Sequence, residues 1–456
     1  MFESYDRLLK RVNPASLVIF SYLSAALTGM LLLSLPQAST GEPVGLLDAL
    51  FTSTSAICVT GLIVVDTGSQ FSMFGKTVIL ILIQMGGLGV MTFSVFLFLF
   101  VGRKIGTRER WIINDTFTAA PTGDIKNLLK LIFTFTFALE AAGAIVLSLV
   151  FINSGGMPVA EAVFTGVFHS VSAFCNAGFS FFSTSFMAYR ENTALNTAVM
   201  LLIVIGGIGF PVIYEITEKI RLRRKGARRL MSLHTRMVLI FTVVLILSGA
   251  VILFIFEGGA AFKYMSLKEK VLSSFFQSIT ARTAGFNTID IQSLKPAALM
   301  IMIMLMFVGA SPGSCGGGIK TTALAVFAGI VKSRIKGFRH NFFGRRTIPD
   351  EIISRVFSIF ILAIVTISAG LLLLLLTQSP EGTEYFYLAY LFEAVSAFAT
   401  VGLSMGVTGT MTWAGKLVII AMMLIGRVGL LTIAYVLTRK KRKVTYKYAE
   451  EKVMIG

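Results

Sequence analysis

Long apolar stretches alternate with short polar connections along almost the whole chain. The pattern predicts an all-α integral membrane protein with eight spanning helices. The first run is predicted to be a retained helix and not a signal peptide, because seven more runs follow it. Apolar runs of roughly 20 residues, enough to cross a ~30 Å hydrocarbon core as helices, lie near 16–35, 77–101, 129–152, 196–218, 237–256, 297–331, 356–376 and 415–437.

The composition and the placement of charge agree with a membrane protein. The 456 residues are 55% hydrophobic and 14% charged, which excludes an ordinary soluble domain. The net charge is +18, and 30 of the 41 Lys and Arg lie in alternate connections: 219–236 holds eight of them, whereas 36–75 and 378–415 hold none. This asymmetry predicts that both termini and the basic loops are cytoplasmic. The expected partner of the basic excess is anionic membrane lipid, with a cytoplasmic protein as the second possibility, and not nucleic acid.

Four outer connections contain the same twelve-residue pattern. They align without a gap, and in each of them a Phe lies ten residues before a Gly. The pattern predicts four tandem units, 1–115, 116–232, 233–346 and 347–456. The four segments are FTSTSAICVTGL from Phe51, FHSVSAFCNAGF from Phe168, FFQSITARTAGF from Phe275 and FEAVSAFATVGL from Phe392. A serine column, with Ser55, Ser172 and Ser396, is interrupted at Ile279.

A second glycine motif lies 23 to 27 residues after each outer glycine. Glycine pairs in a membrane helix usually permit close packing against a neighbour, and this interpretation is favoured for the first two copies. The four motifs are MGGLG from Met85, IGGIG from Ile205, VGASP from Val308 and IGRVG from Ile425.

The outer segments are too short to cross a membrane. Ten residues reach roughly 15 Å as a helix, half the hydrocarbon core, so each segment must enter and turn back. Re-entrant backbone survives at membrane depth only when it is buried in protein or lines a water-filled cavity. Carbonyl oxygens in four such turns could replace the hydration shell of a cation, and glycine permits the φ > 0 that aims them at one axis. The candidate filter residues are Cys58, Val59, Thr60, Gly61, Asn176, Ala177, Gly178, Thr283, Ala284, Gly285, Thr400, Val401 and Gly402.

The four glycines and their spacing resemble the Trk/Ktr/HKT superfamily of potassium transporters, most closely its bacterial KtrB branch, over essentially the whole chain. The resemblance implies four helix, pore-loop, helix units and K⁺ uptake without enzymatic activity. In the plant branch a Ser at the first filter glycine accompanies sodium transport, so Gly61 implies potassium selectivity. The resemblance also implies a homodimer in the cell membrane that docks a cytoplasmic RCK-type ring resembling KtrA. ATP or ADP would bind that ring, and this chain is expected to bind no cofactor besides the transported K⁺.

The third unit has a segment that glycine and proline should keep from forming a helix, FVGASPGSCGGGIKTT over 307–322. The resemblance makes it an intramembrane gating loop. Arg427 is a lone arginine inside a span. A charge there is costly and therefore predicts a functional role, and the resemblance makes this charge part of the same gate. The alternative for Arg427 is a salt bridge to Glu140 or Glu393. The candidate gate residues are Gly313, Ser314, Gly316, Gly317, Gly318, Lys320 and Arg427.

Several polar residues leave alternatives open. Arg282 is expected behind the filter, bonded to carbonyls of the short helices, whereas Asn176 either lines the ion path or ties its turn to a neighbour. GSCGGGIKT from Gly313 is similar to a phosphate-binding loop, but its spacing fails at Ile319, which argues against ATP hydrolysis. The cysteines and histidines are too scattered for a metal centre.

Two alternative functions stay open. One is a Na⁺ or nonselective cation pore of the same fold. The other is a secondary transporter with a midplane substrate site, which predicts inverted repeats and carboxylates near broken helices.

Overall fold

The computed structural model describes residues 14–89, 125–154, 157–226, 230–338, 340–344, 346–378 and 385–430. Both termini, whose predicted place is the cytoplasm, and most of the basic connection 102–127 lie outside the described residues. The helices are α1 Pro14–Leu33, α2 Leu46–Ile57, α3 Met73–Leu88, α4 Ile125–Asn153, α5 Val159–Phe174, α6 Thr193–Ile208, α7 Phe210–Arg224, α8 Leu233–Glu257, α9 Leu267–Thr280, α10 Pro296–Phe307, α11 Thr321–Ile335, α12 Asp350–Thr377, α13 Phe386–Ala399 and α14 Trp413–Val428.

Shorter elements complete the described part of the chain. A helical turn spans Thr67–Gln70, and 3₁₀ turns span Pro36–Ala38 and Met187–Tyr189. Strands β1 Phe342–Phe343 and β2 Arg346–Thr347 pair antiparallel just before α12.

The same order of helices occurs four times along the chain. A long helix (α1, α4, α8 or α12) precedes a short one (α2, α5, α9 or α13), and a second helix (α3, α6, α10 or α14) follows. Within the described residues, four helices are long and apolar enough to cross a membrane, and they are the four long ones: Ser16–Leu33, Leu129–Asn153, Leu233–Glu257 and Asp350–Thr377. Counting α6 and α7 as one bent span raises the number to five. The described residues therefore confirm four or five of the predicted spanning helices, and the full count of eight stays a prediction.

The described second helices end at their glycine motifs and are each shorter than a span. The last glycine of three motifs has positive φ: 81° at Gly89, 100° at Gly209 and 93° at Gly429. A right-handed helix cannot continue through such a residue, so α3, α6 and α14 each end at the residue before it. In the second unit the chain resumes as α7, bent by 94° from α6. In the third unit α10 ends at Phe307 and α11 begins at Thr321.

The first glycine of three motifs permits the second helix to touch the end of its own short helix. A Cβ at Gly86 would clash with the carbonyl oxygen of Ile57, and one at Gly206 with that of Phe174. The fourth unit repeats the contact between Gly426 and the carbonyl of Phe398. The close packing favoured from sequence for the first two motifs is confirmed, and it extends to the fourth unit.

Hydroxyl groups fasten three short helices to the long helices before them. Each donates to a carbonyl three residues before a long-helix glycine, where the backbones approach closely enough for the bond. The pairs are Ser53 Oγ with the Ala26 carbonyl at 2.8 Å, Ser170 Oγ with the Glu140 carbonyl at 2.6 Å and Ser278 Oγ with the Ile246 carbonyl at 2.8 Å. The glycines that follow are Gly29, Gly143 and Gly249, and a Cβ on any of them would press on the short helix.

The substitution Gly206→Ala tests the packing of the second helices. We expect it to lower the temperature of thermal inactivation in detergent, because forcing a methyl group against the Phe174 carbonyl costs about 1–3 kcal/mol as overpacking does. Gly259→Ala is the matched control, since no atom lies within 4 Å of its added Cβ. Equal inactivation temperatures for the two variants would contradict this account of the helix contact.

Candidate functional site

The four turns that follow the short helices share one alternation of backbone handedness. In each turn the glycine and the residue two positions before it have positive φ. Bulky residues in this region are strained, by about 1–3 kcal/mol each, so the recurrence indicates a conformation that the surrounding packing imposes. The φ values are 56° and 91° at Val59 and Gly61, 58° and 71° at Asn176 and Gly178, 76° and 78° at Thr283 and Gly285, and 51° and 91° at Thr400 and Gly402.

The four glycines meet in a closed ring that follows chain order. A Cβ added to any of them would strike the carbonyl oxygen of the residue before the next glycine. Only glycine therefore permits the turns to approach this closely. The carbonyl oxygen that the added Cβ would meet belongs to Ala177 for Gly61, to Ala284 for Gly178 (Cβ to oxygen 2.8 Å), to Val401 for Gly285 (2.5 Å) and to Thr60 for Gly402. The candidate filter residues of all four units thus lie together, and Cys58, Ala177, Ala284 and Val401 are fully buried.

Hydroxyl groups of the short helices hold each turn from behind. The amides of Gly61 and Gly402 donate to Ser55 Oγ and Ser396 Oγ, each at 3.1 Å. Ser172 Oγ donates instead to the carbonyl of Phe179 at 2.9 Å.

In the third unit the hydroxyl that holds the turn comes from the residue after the serine column. Thr280 Oγ1 donates to the carbonyl of Phe286 at 2.7 Å and replaces the serine that is missing at Ile279. Sequence alignment missed this substitute because it compared fixed columns. The signal was a threonine directly after the interrupted column.

Asn176 connects neighbouring turns. Its side-chain amide lies 3.2 Å from Thr283 Oγ1 and is fully buried. With the amide rotated, Nδ2 donates to the carbonyls of Ile203 and Ala173 while Oδ1 accepts from Thr283. These contacts favour the tie between turns over the alternative of lining the ion path.

Arg282 lies behind the ring, but the expected partner was wrong. Its Nη1 donates to the carbonyl of Thr242 in α8 at 3.5 Å, not to a carbonyl of α9. The guanidinium thus contacts the neighbouring long helix.

The segment 308–320 lies directly against the ring. The Gly317 amide donates to Thr400 Oγ1 at 3.1 Å, and a Cβ at Gly316 would meet Thr283 Oγ1. Candidate gate residues thus touch the turns of the third and fourth units.

The second unit holds the other side of this segment. The amides of Ser311 and Cys315 donate to the carbonyls of Gly207 and Gly206 at 3.1 and 3.2 Å. The carbonyl of Gly313 accepts from the first amide of α7 at 2.9 Å, and Ser314 Oγ donates to the Ser311 carbonyl at 2.6 Å. The segment is therefore fixed by units two and four as well as by its own.

Two partly buried cations bind carbonyl oxygens beside the ring. Lys320 Nζ donates to the Gly316 carbonyl at 2.7 Å and lies 3.5 Å from that of Gly317. The Arg427 guanidinium donates to the carbonyls of Cys315 and Gly86. Arg427 thus joins the segment of unit three to the broken second helix of unit one.

The salt bridge considered for Arg427 is absent among the described residues. Glu393 accepts from Ser404 Oγ, from Thr408 Oγ1 at 3.0 Å and from the Met405 amide at 3.2 Å. Glu140 lies 3.8 Å from Cys175 Sγ. Neither carboxylate pairs with Arg427, whose guanidinium interacts with the Tyr22 hydroxyl as well as with the two carbonyls.

The histidine and cysteine side chains show how the same core satisfies other polar groups. His169 Nδ1 lies 2.8 Å from the Thr165 carbonyl, and Nε2 lies 3.0 Å from Ser180 Oγ. Cys58, Cys175 and Cys315 are free and buried. In the described part of the chain, no three His, Cys, Asp or Glu side chains are grouped as a metal site.

A family profile described as TrkH, cation transport protein, matches residues 18–444. The chain belongs to the TrkH family. Members of this family are cation transport proteins and not enzymes, and the family assignment with the apolar long helices makes this chain a multi-pass membrane protein. The resemblance to Ktr proteins inferred from the glycine pattern is confirmed.

Full-length relatives support the assignment. The chain is 34% identical to the Ktr system potassium uptake protein B of Bacillus subtilis, with 99% of each chain covered. It is 35% identical to the potassium/sodium uptake protein NtpJ of Enterococcus hirae, again with 99% of each covered. The crystal structure of the potassium transporter TrkH from Vibrio parahaemolyticus shares the fold, with a TM-score of 0.73 at 19% identity, covering 94% of this chain and 86% of that one.

The substitution Thr400→Val tests the bond between the ring and segment 308–320. We expect hydrogen–deuterium exchange of a peptide containing the Gly317 amide to accelerate about two- to tenfold, as the loss of one hydrogen bond of ~0.5–1.5 kcal/mol predicts. Thr400→Ser keeps the hydroxyl and should exchange like the wild type. Identical exchange in all three proteins would contradict the bond.

Proposed function

We propose that this protein takes up K⁺ through a gated pore, as the membrane subunit of a Ktr-type transport system. The observation that carries the proposal is the ring of four glycines. Each glycine packs against the carbonyl oxygen of the residue that precedes the next glycine of the ring. Carbonyl oxygens arranged in this way can replace the hydration shell of a cation. The filter would comprise Cys58 to Gly61, Asn176 to Gly178, Thr283 to Gly285 and Thr400 to Gly402.

The pore would be built from the four tandem units with the boundaries 1–115, 116–232, 233–346 and 347–456. Each short helix has 12 to 16 residues, or about 18–24 Å, less than the ~30 Å hydrocarbon core. It would enter the membrane and turn back, while the long helix and the broken second helix cross it. Eight crossings place both termini on one side, and the basic connections make that side the cytoplasmic face of the cell membrane.

The gate would comprise segment 307–322, with Gly313, Ser314, Gly316, Gly317, Gly318 and Lys320, together with Arg427. Its contacts with Thr400 and with the Gly206 carbonyl support this role, because they join the segment to the ring on two sides. Positive charge at Lys320 and Arg427 beside the ring would repel the transported cation and so raise the barrier to its passage. Ions would pass once the segment and the end of α14 move apart.

Potassium is the favoured ion, and sodium is the second candidate. All four filter positions are glycine, and two relatives are named as Ktr potassium uptake proteins. Sodium is kept because another relative is named a potassium/sodium uptake protein. The repeated φ pattern around one ring argues for units that run in the same direction, and thus against the inverted repeats of a secondary transporter.

Partners are proposed from the relatives' names and from charge. The Ktr relatives are named as parts of a system, which supports a second subunit. We assign that subunit to a cytoplasmic RCK-type ring resembling KtrA, which would bind ATP or ADP, and expect this chain to form a homodimer above it. The basic cytoplasmic connections would meet the ring and anionic lipid.

Rubidium uptake into proteoliposomes tests the filter. We expect K⁺ to compete with Rb⁺ much more strongly than Na⁺ does, and Gly402→Ser to lose this preference, because a side chain there clashes with the Thr60 carbonyl. Gly409→Ser is the control in the same unit, since its Cβ has only a distant contact at 3.8 Å. Equal competition by Na⁺ in the wild type would overturn potassium selectivity and support the second candidate.

Arg427→Gln tests the electrostatic part of the gate. We expect faster Rb⁺ flux, by about tenfold for each ~1.4 kcal/mol removed from the barrier, whereas Arg427→Lys should stay near the wild-type rate. Lys416→Gln, on the same helix, is the control because its ammonium pairs with Asp48 at 2.6 Å. A flux in Arg427→Gln equal to or below that of Arg427→Lys would refute the charge barrier.

A further inference from the structure

A cavity of about 590 Å³ lies between helices α8, α11 and α12, also touches the start of α7 and the ends of α13 and α14, and reaches segment 308–320. Its wall is mostly apolar, with Met237 from α8, Val326 from α11 and Val356 from α12. Its inner end meets Pro312 and Ile319. This volume and lining are typical of sites that hold an apolar small molecule with a few polar contacts.

Basic groups line the cavity, and none of the described residues in its lining is acidic. Arg355 is exposed and forms no ion pair among the described residues. His234 Nε2 is buried without a hydrogen-bond partner in that part of the chain. Nearby Glu215 accepts from the hydroxyls of Ser232 and Thr235. The outer part of the cavity therefore offers two groups to an anion.

The position of the cavity selects the kind of ligand. Arg355 lies in the first turns of α12, at the end of the basic stretch 332–355, which the distribution of charge assigns to the cytoplasmic side. Basic pockets between membrane helices on that side bind anionic lipid headgroups. An acyl chain matches the apolar wall, and a phosphate matches Arg355 and His234.

We propose that this cavity binds one acyl chain of an anionic phospholipid from the cytoplasmic leaflet, with the phosphate at Arg355 and His234. The end of the chain would pack against Pro312 and Ile319. Because segment 308–320 also holds the ring through Thr400, a bound lipid would stabilise the segment in its observed position and slow ion flux. The effect on flux rests on the proposed function, whereas lipid binding does not.

Photolabelling tests the site directly. Protein is reconstituted in phosphatidylcholine vesicles that contain phosphatidylglycerol with a diazirine near the end of one acyl chain, and labelled peptides are identified by mass spectrometry. We expect label on segment 308–320 and on the adjoining parts of α8, α11 and α12. Excess unlabelled phosphatidylglycerol should remove it, and excess phosphatidylcholine should not.

Two pairs of variants separate the site from general lipid contact. Ile352→Trp fills the exposed edge of the cavity and should abolish the label, whereas Ile361→Trp, on the lipid-facing surface of the same helix, should not. Arg355→Gln should reduce labelling about fivefold, since one basic side chain contributes ~1 kcal/mol to anionic lipid binding. Arg334→Gln, which lies outside the cavity, is its control.

The outcomes distinguish the lipid site from the proposed function. Label that Ile352→Trp leaves unchanged, or that phosphatidylcholine displaces equally well, would overturn the lipid site even where Rb⁺ flux is normal. Site-specific label in a protein without any Rb⁺ flux would support the lipid site and count against the proposed function. Flux equal in vesicles with and without phosphatidylglycerol would overturn the coupling to segment 308–320.

Discussion

The close approach of each of the four ring glycines to a carbonyl of the next unit is the contact on which the rest of the structure depends. Four turns can meet only where no side chain intervenes, so the short helices that carry them must be fixed with little tolerance. Two kinds of contact fix them. Glycines of the second helices, such as Gly206, touch their last carbonyls, and hydroxyls such as that of Ser170 join them to the long helices. Because a packed interior transmits small shifts, a methyl group added at either layer would be felt at the ring.

The same geometry decides which backbone amides and carbonyls of the turns have a protein partner and which do not. Membrane interiors provide no water for unpaired amides and carbonyls, so each must find a protein partner or face a hydrated path. The amides of Gly61 and Gly402 are held by serines behind the ring. Segment 308–320 is satisfied by other units, through Thr400 and the Gly206 carbonyl. A non-helical segment at this depth therefore depends on neighbouring units, so its position can respond to them.

The sequence contained the ring but not the course of the helices around it. Four glycines at fixed spacing predicted four equivalent turns, because a backbone position with positive φ favours glycine and can therefore be recognised in the sequence. Gly89 and Gly209 end their helices for the same reason, but an apolar run continues past both, and hydropathy does not register φ. The partners of Arg282 and Arg427 were also missed. Both donate to main-chain carbonyls of distant segments, and carbonyls are present at every position of any sequence.

If the proposed function is correct, the Arg427 guanidinium both holds the gating segment in place and provides the charge that repels the ion. A cation within a span is costly unless it is paired or bound to dipoles, and Arg427 is bound by the carbonyls of Cys315 and Gly86. The bond to Cys315 stabilises the charge only while segment 308–320 stays beside the ring. If the segment moves, the guanidinium loses that partner and keeps those of the first unit, so displacement of the segment would also change how the fixed charge beside the path is held. A neutral side chain could hold the segment but would not provide this coupling.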